Sequence, residues 1–315
     1  MKQLVILSGK GGTGKTSLAA AFAHLAAEGA NPFRTILADA DVDASNLELV
    51  LSPSVLEAHD FMGGGVAVID PEACEGCGIC AEVCRFDAIT FIDKGNEPPR
   101  VDPIACDGCA ACVYQCPTQA IHLEPQMAGQ WFRSDSRYGP LYHAALRPAQ
   151  ENSGKLVTMV KQQARLLALG GDRMANAGYD LIIVDGPPGI GCPVISAAAG
   201  ADLALVVTEP TAGGVHDMER ILHTTYHFGL PALVCINKSD LHPGGTDTIE
   251  AYCRTHGTAV VGHIPFDTTV TRAMVHGVPV TAYGDGSAAQ KAIRQVWERV
   301  LAILGQREID TSQPL

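Results

Sequence analysis

Hydrophobic residues along the chain follow two patterns. Residues 4–7, 36–38, 181–184, 203–207 and 232–236 are unbroken apolar runs closed by polar or turn residues, which predicts short strands buried in a sheet. Between them lie segments of helical period. Residues 18–27 are alanine-rich, Leu156, Val157, Val160, Ala164 and Leu167 fall on one face, and residues 214–228 form a further helix. Near the end, residues 287–304 carry Ala292, Ile293, Val296, Trp297, Val300, Leu301 and Leu304 on one stripe, as a helix packed on a sheet would. Strands that alternate with helices imply an α/β fold with a doubly wound, mostly parallel sheet.

The first strand runs into Gly9-Lys10-Gly11-Gly12-Thr13-Gly14-Lys15-Thr16-Ser17, a G-x-x-x-x-G-K-T loop at the start of a helix. Its glycines let backbone N–H groups turn inward, and the helix directs its positive end at the same point, so the loop suits a polyphosphate. Lys15 occupies the place of a P-loop lysine on β- and γ-phosphates, and the Thr16 hydroxyl that of a magnesium ligand. Gly11, Gly12, Thr13, Gly14, Lys15, Thr16 and Ser17 are the expected nucleotide-binding residues. Two further strands end in carboxylates: Asp39, followed by Asp41 and Asp43, and Asp185, followed by the Gly/Pro-punctuated residues 186–193. Carboxyl ends of strands are where α/β sheets bind ligands. Asp185 matches a Walker B residue acting on Mg2+ through water.

Lys10 is a second lysine that the general motif does not require. With the loop and the aspartates it resembles the deviant Walker A ATPases of the MinD, ParA and nitrogenase iron protein class. The resemblance implies ATP and Mg2+ as ligands, ATPase activity, and a nucleotide-dependent homodimer in which Lys10 reaches the partner's nucleotide. It also implies that Asp41 orients water while Asp39 supports magnesium, although in the iron-protein branch Asp39 and Asp43 match better. Asn237, at the end of a strand, is similar to a base-contacting residue, and Pro265 and Asp267 resemble the segment that closes over adenine in the MinD branch. Asn237-Lys238-Ser239-Asp240 is equally the guanine signal of GTPases. Cys192 lies where the iron protein keeps a cluster ligand, but its companion cysteine is missing. A small buried hydrophobe is the expectation for Cys192, as for Cys235 and Cys253.

Residues 66–124 interrupt this pattern with an internal repeat of period 32. Asp70-Pro71 recurs as Asp102-Pro103, and Cys74, Cys77, Cys80 and Cys84 recur as Cys106, Cys109, Cys112 and Cys116. Each set is C-x2-C-x2-C-x3-C, the bacterial ferredoxin run, in which the fourth cysteine serves the other cluster. This predicts one [4Fe–4S] cluster on Cys74, Cys77, Cys80 and Cys116 and a second on Cys106, Cys109, Cys112 and Cys84. A pair of zinc sites is the alternative, but zinc has no use for the third and fourth cysteines of each run. Arg85 follows Cys84 where the pattern has proline. The segment carries ten acidic and three basic residues, a charge suited to steering a basic redox partner or merely to solvation.

These readings predict an ATPase domain made of residues 1–65 and 125–315, with an inserted small α+β ferredoxin-like module at 66–124. Eleven cysteines in a chain without an export signal suggest metal or redox chemistry in the cytoplasm. The formal charge of −12 argues against a nonspecific grip on nucleic acid. No apolar run is long enough to span a bilayer, and the last residues lack the basic amphipathic helix of MinD proteins, so no membrane partner is expected. The function anticipated is nucleotide-gated electron transfer through two [4Fe–4S] clusters to a redox partner. A cluster carrier or assembly ATPase that hands clusters to a cluster-accepting partner, and a MinD/ParA-like spatial organiser with a redox-sensing module, are the alternatives.

Overall fold

The computed structural model describes residues 1–28, 32–91, 98–147, 153–170, 178–284 and 286–306. Asp93, Lys94 and Glu97 of the charge count, Glu151 and Asn152, and the chain end after Gln306 lie outside the described residues. In chain order the first half comprises β1 (Lys2–Ser8), α1 (Lys15–Ala27), β2 (Thr35–Asp39), α2 (Leu47–Leu51), β3 (Ser54–Ile69), α3 (Ile79–Glu82), β4 (Ile89–Thr90), β5 (Arg100–Val101), α4 (Ala111–Gln115), β6 (Ile121–Ser136) and β7 (Gly139–Leu146). The second half comprises α5 (Ser153–Ala168), β8 (Leu181–Pro188), α6 (Cys192–Ala198), β9 (Leu203–Thr208), α7 (Ala212–His227), β10 (Ala232–Asn237), α8 (Pro243–Thr255), β11 (Ala259–Ile264), α9 (Thr268–Val275) and α10 (Ala288–Gln306).

The chain divides into two units, one of Met1–Ala58, Trp131–Ala145 and Ser153–Leu315, the other of His59–Gln130 and Leu146–Asn152. The main sheet has the strand order β11-β10-β9-β1-β8-β2-β7-β6-β3. From β11 to β7 every neighbouring pair is parallel. Central position explains the apolar runs: Leu4, Val5, Ile6 and Leu7 of β1 are fully buried, as are Leu203, Ala204, Leu205 and Val206 of β9. Helix α10 packs along β11 with Ile293, Val296, Trp297, Val300 and Leu304 in the core, and the Trp297 ring lies 4.9 Å from that of Phe22 on α1. Ser153 begins α5 as its first helical residue. Thr211 is a true cap, its hydroxyl accepting from the Gly214 N–H of α7 at 3.0 Å.

In the second unit the repeat of period 32 is visible in the backbone. The amides of Cys74 and Cys106 donate to the carbonyls of Asp70 and Asp102, and the amides of Asp70 and Asp102 donate to Ala120 and Ala88. Each half thus uses the other's strand end. Each repeat carries one short helix, α3 or α4, entered through a left-handed residue, Gly78 or Ala110.

The metal reading of this unit is corrected. Among the described residues, which include all eight cysteines, no three His, Cys, Asp or Glu side chains form a group that could hold a metal ion. The ferredoxin-like module, the [4Fe–4S] cluster on Cys74, Cys77, Cys80 and Cys116 and that on Cys106, Cys109, Cys112 and Cys84 are not supported. The electron transfer and the redox or cluster-accepting partner inferred from them go with that reading. The side chains divide between interior and surface. Cys80 and Cys112 are buried with Ala67, Ile89 and Ile121 as small hydrophobes, and burial raises the pKa of both thiols. Cys77 and Cys109 are exposed, and the Cys116 sulfur accepts from the Ala120 N–H at 3.3 Å. Cys74, Cys77, Cys80 and Cys116 do line one small recess, with Pro99 and Ile121.

Candidate nucleotide site

The glycine-rich loop joins β1 to α1 as the sequence requires. Gly12 and Gly14 have φ of 78° and 93°, a left-handed backbone that glycine alone adopts freely, and Gly14 is the residue from which α1 departs. A side chain at Gly11 or Gly12 would meet nothing within 4 Å, so the loop borders open space. At Gly14 a Cβ would lie 2.5 Å from the Asn237 amide, which bounds the loop from behind.

Lys15 is 5% exposed and its Nζ donates to the Ser8 hydroxyl at 2.7 Å. Ser8 in turn donates to the Lys10 carbonyl at 2.7 Å. Burial lowers the Lys15 pKa, and Asp185, Asp41 and Asp39 work against that shift. Asp39 and Asp185 are paired in the parallel register of β2 and β8, so two carboxylates stand side by side at the strands' carboxyl ends. They are treated differently. Asp39 is fully buried and accepts from the Ser45 hydroxyl at 2.7 Å and from the Leu47 and Asp41 amides at 3.0 Å each. Its pKa is pushed up to about 6 by burial, less than it would be without those donors. Asp185 is 1% exposed with neither oxygen hydrogen-bonded; the Thr16 hydroxyl faces it without reaching bonding geometry. Burial and the neighbouring Asp39 raise its pKa well above the usual range. Asp41 is also raised, by burial, with Lys15 opposing.

A buried carboxylate without a donor, beside a second carboxylate and a lysine, is costly unless a cation completes it. The Thr13 hydroxyl is likewise buried and unpartnered. These orphaned atoms around an open loop fit a Mg2+–nucleotide, whose cation Thr16 and Asp185 would hold and whose phosphates Lys15 and the loop amides would hold.

Lys10 forms an ion pair of 3.0 Å with Glu209 in its own chain, and its Nζ is 3.4 Å from the Thr211 hydroxyl. Ser17 contacts the Met274 sulfur at 3.3 Å. The Asn237 amide donates to the Thr13 carbonyl at 2.7 Å, so it braces the loop. Pro265 follows β11, and the next amide, of Phe266, donates to Asp240 at 2.7 Å. Asp267 caps α9 by accepting from the Thr269 N–H at 2.8 Å, and hydrogen bonds from Thr269 hold its pKa down at about 2. Cys192 is exposed at the start of α6, whereas Cys235 and Cys253 are buried, with pKa values pushed up to about 12 and about 11. Glu209 escaped the sequence reading. It follows β9 directly and binds both Lys10 and Lys238, and the strand-end rule that singled out Asp39 and Asp185 would have found it.

A parallel sheet with this loop, a second loop lysine and paired strand-end carboxylates defines a P-loop ATPase of the deviant Walker A type. The chain belongs to the CobQ/CobB/MinD/ParA nucleotide binding domain family, whose family model matches residues 4–280. An uncharacterized protein of Methanocaldococcus jannaschii is 30% identical over 95% of this chain and 96% of its own length. An iron-sulfur cluster carrier protein of Pyrococcus furiosus is 28% identical over 47% of this chain and 52% of its own. Among solved structures, the septum site-determining protein MinD of Pyrococcus horikoshii, complexed with Mg-ADP, matches with a TM-score of 0.56. It is 18% identical and covers 97% of this chain and 98% of that one. No described helix is long and apolar enough to cross a membrane.

Proposed function

We propose that the protein is an ATP-driven dimerisation switch of the MinD and ParA kind, acting in the cytoplasm, in which ATP joins two copies and hydrolysis separates them. The observation that supports this best is Lys10. Among the described residues its side chain, 39% exposed, pairs with the nearly buried Glu209 and lies near the Thr211 hydroxyl, beside a loop that opens outward at Gly11 and Gly12. In this reading Lys15 and the amides of residues 11–17 hold the phosphates, Thr16 and Asp185 hold the magnesium ion, and Asp39 supports that ion and fixes the loop carrying Asp41. The ion neutralises charge on the β- and γ-oxygens. Asp41 orients the attacking water, and Lys10 from the second copy meets the developing charge. Pro265 and Asp267 frame the base, and Asn237 braces the loop beside it.

Light scattering after size exclusion tests this reading. Wild type with MgATP should elute as a dimer and with MgADP as a monomer, and Lys15→Ala should stay monomeric in both. Mixing Lys10→Ala with Asp41→Ala should restore partial ATPase activity, because one site of the mixed dimer has an intact Asp41 and an incoming intact Lys10. Monomers under all conditions, with no rescue at any mixing ratio, would refute it.

A second reading treats an iron–sulfur cluster as cargo, as the name of the Pyrococcus furiosus relative suggests for that protein. The 28% identity to that carrier over 47% of this chain favours it. Anaerobically loaded protein should then activate an apo iron–sulfur enzyme in an ATP-dependent manner, and activation equal to that by free iron and sulfide would dismiss it.

A further inference from the structure

Three side chains outside the nucleotide site form a chain of hydrogen bonds. The Glu48 carboxylate on α2 lies 3.1 Å from Nδ1 of His143 on β7, and Nε2 of His143 lies 2.9 Å from the Ser134 hydroxyl on β6. Glu48 has only acceptors to offer, so His143 carries its proton on Nδ1 and donates it there; Nε2 then accepts from Ser134. The imidazole is 3% exposed and stacked on the Phe132 ring at 5.1 Å, and burial lowers its pKa, which keeps it neutral against the pull of Glu48. The order Ser–His–Glu is that of a hydrolytic triad, but Ser134 is fully buried and no substrate reaches its oxygen. The set has another use.

Helix α2 begins one residue before Glu48, and that residue, Leu47, gives its N–H to Asp39. The helix has five residues and no side-chain cap from Asn46. So short a helix holds its position through its ties, since its own hydrogen bonds stabilise little. Leu47, Val50 and Leu51 seat the helix in the core and Arg137 donates to the Val50 carbonyl, while its ties toward the site and the sheet run from the Leu47 amide to Asp39 and, through Glu48, to a buried histidine. We propose that Glu48 and His143 are positioning residues for ATP hydrolysis, a latch that anchors α2 to β7 and β6 and so holds residues 40–46, with Asp41, in hydrolytic register. This inference rests on the reading of Asp41 as the water-orienting residue.

The test is steady-state ATPase kinetics with parallel binding of a non-hydrolysable ATP analogue, on wild type, Glu48→Ala, Glu48→Gln, His143→Gln and the Glu48→Ala/His143→Gln double variant. Glu48 is partly exposed, so its substitution leaves the fold intact. Glu48→Ala should lower kcat about fivefold to tenfold, the effect of losing one ordinary hydrogen bond, with analogue affinity and KM within about twofold. Glu48→Gln keeps an acceptor for Nδ1 and should restore kcat to within about twofold. The double variant should be no slower than the slower single one, because both break the same link. A Glu48→Ala kcat within twofold of wild type, an equal loss of affinity, or failure of Gln to restore the rate would overturn the latch. Asp41→Asn separates the two ideas. If it leaves kcat unchanged the reading of Asp41 fails, whereas a large loss there with a silent Glu48→Ala refutes the latch alone.

Discussion

Replacing Asp185 with asparagine should make the nucleotide-free protein more stable while destroying its activity. Ionising a buried carboxyl whose pKa is raised from 3.8 to about 6, as at Asp39, costs ~3 kcal/mol at neutral pH. Asp185 is buried to the same depth and lacks the three donors that ease Asp39, so its own cost is at least comparable. An asparagine in its place would keep the shape, and no hydrogen bond is lost because neither carboxylate oxygen has one. Losing the attraction of Lys15 and of the Thr16 hydroxyl offsets part of the gain, and the variant should be the more stable at pH 8 by on the order of 1 kcal/mol or more, the usual cost of a buried polar group left unsatisfied. The pH dependence identifies the cause. A carboxyl with a raised native pKa binds more protons folded than unfolded between pH ~4 and that pKa, so wild-type stability falls as pH rises through the window. The asparagine variant loses the Asp185 share of this fall and keeps that of Asp39 and Asp41, so its stability should fall less steeply with pH and the two proteins should converge near pH ~4.5. Urea unfolding followed by tryptophan fluorescence at pH 4.5, 6 and 8 measures the gap, and MgATP should reverse the order by stabilising only the wild type. A wild type more stable than the variant at pH 8 without nucleotide, or a gap independent of pH, would refute the argument.

Lys161 is buried and donates to the carbonyls of Ser196, Ala197 and Ala199 at the end of α6, so Lys161→Met, which leaves them without a donor, should cost ~1–3 kcal/mol in urea unfolding. Burial lowers its pKa to about 8, so the unfolded chain holds its proton to higher pH, and the wild-type advantage should grow between pH 8 and 10. Gly108 has φ 68° and an added Cβ would sit 2.2 Å from the Gly65 carbonyl oxygen; Gly108→Ala should lower resistance of residues 59–130 to proteolysis, by ~1–3 kcal/mol of local stability. Glu209→Gln weakens the hold on Lys10 and Lys238 and should speed ATP-dependent dimerisation, read by stopped-flow light scattering, without tightening ADP binding.

The nucleotide site was largely legible because its chemistry is written in local spacing. The loop glycines, Lys15, Asp39 and Asp185 each follow an apolar run; Asp39 ends β2, whereas β8 continues three residues past Asp185 to Pro188. What spacing does not carry is pairing across the chain. Asn237 meets Thr13 across 224 residues, and nothing in Asn-Lys-Ser-Asp distinguishes a loop brace from a base contact. The β6–β7 hairpin escaped for a different reason. Its residues mix glycine, arginine and serine with aromatics, so neither the strand nor the helical period stands out, and no spacing separates His143 from the rest of the eleven histidines. The cysteine repeat shows the converse risk. Its period predicts a repeated backbone, which the unit has, but not the directions of eight thiols.

The register of β2 against β8 also constrains how such a protein can diverge. Side chains alternate faces with every residue, so inserting one residue into either strand before Asp39 or Asp185 would send one carboxylate to the opposite side of the sheet. Lineages can therefore alter these strands only by substitution. The seventy-odd residues of the second unit enter after α2, downstream of Asp39, where lengthening a connection costs free energy only with the logarithm of its length. Insertion there leaves the spacing of β1, α1 and β2 untouched, which makes that point a place where evolution, or an engineer, can exchange whole modules without rebuilding the ATPase.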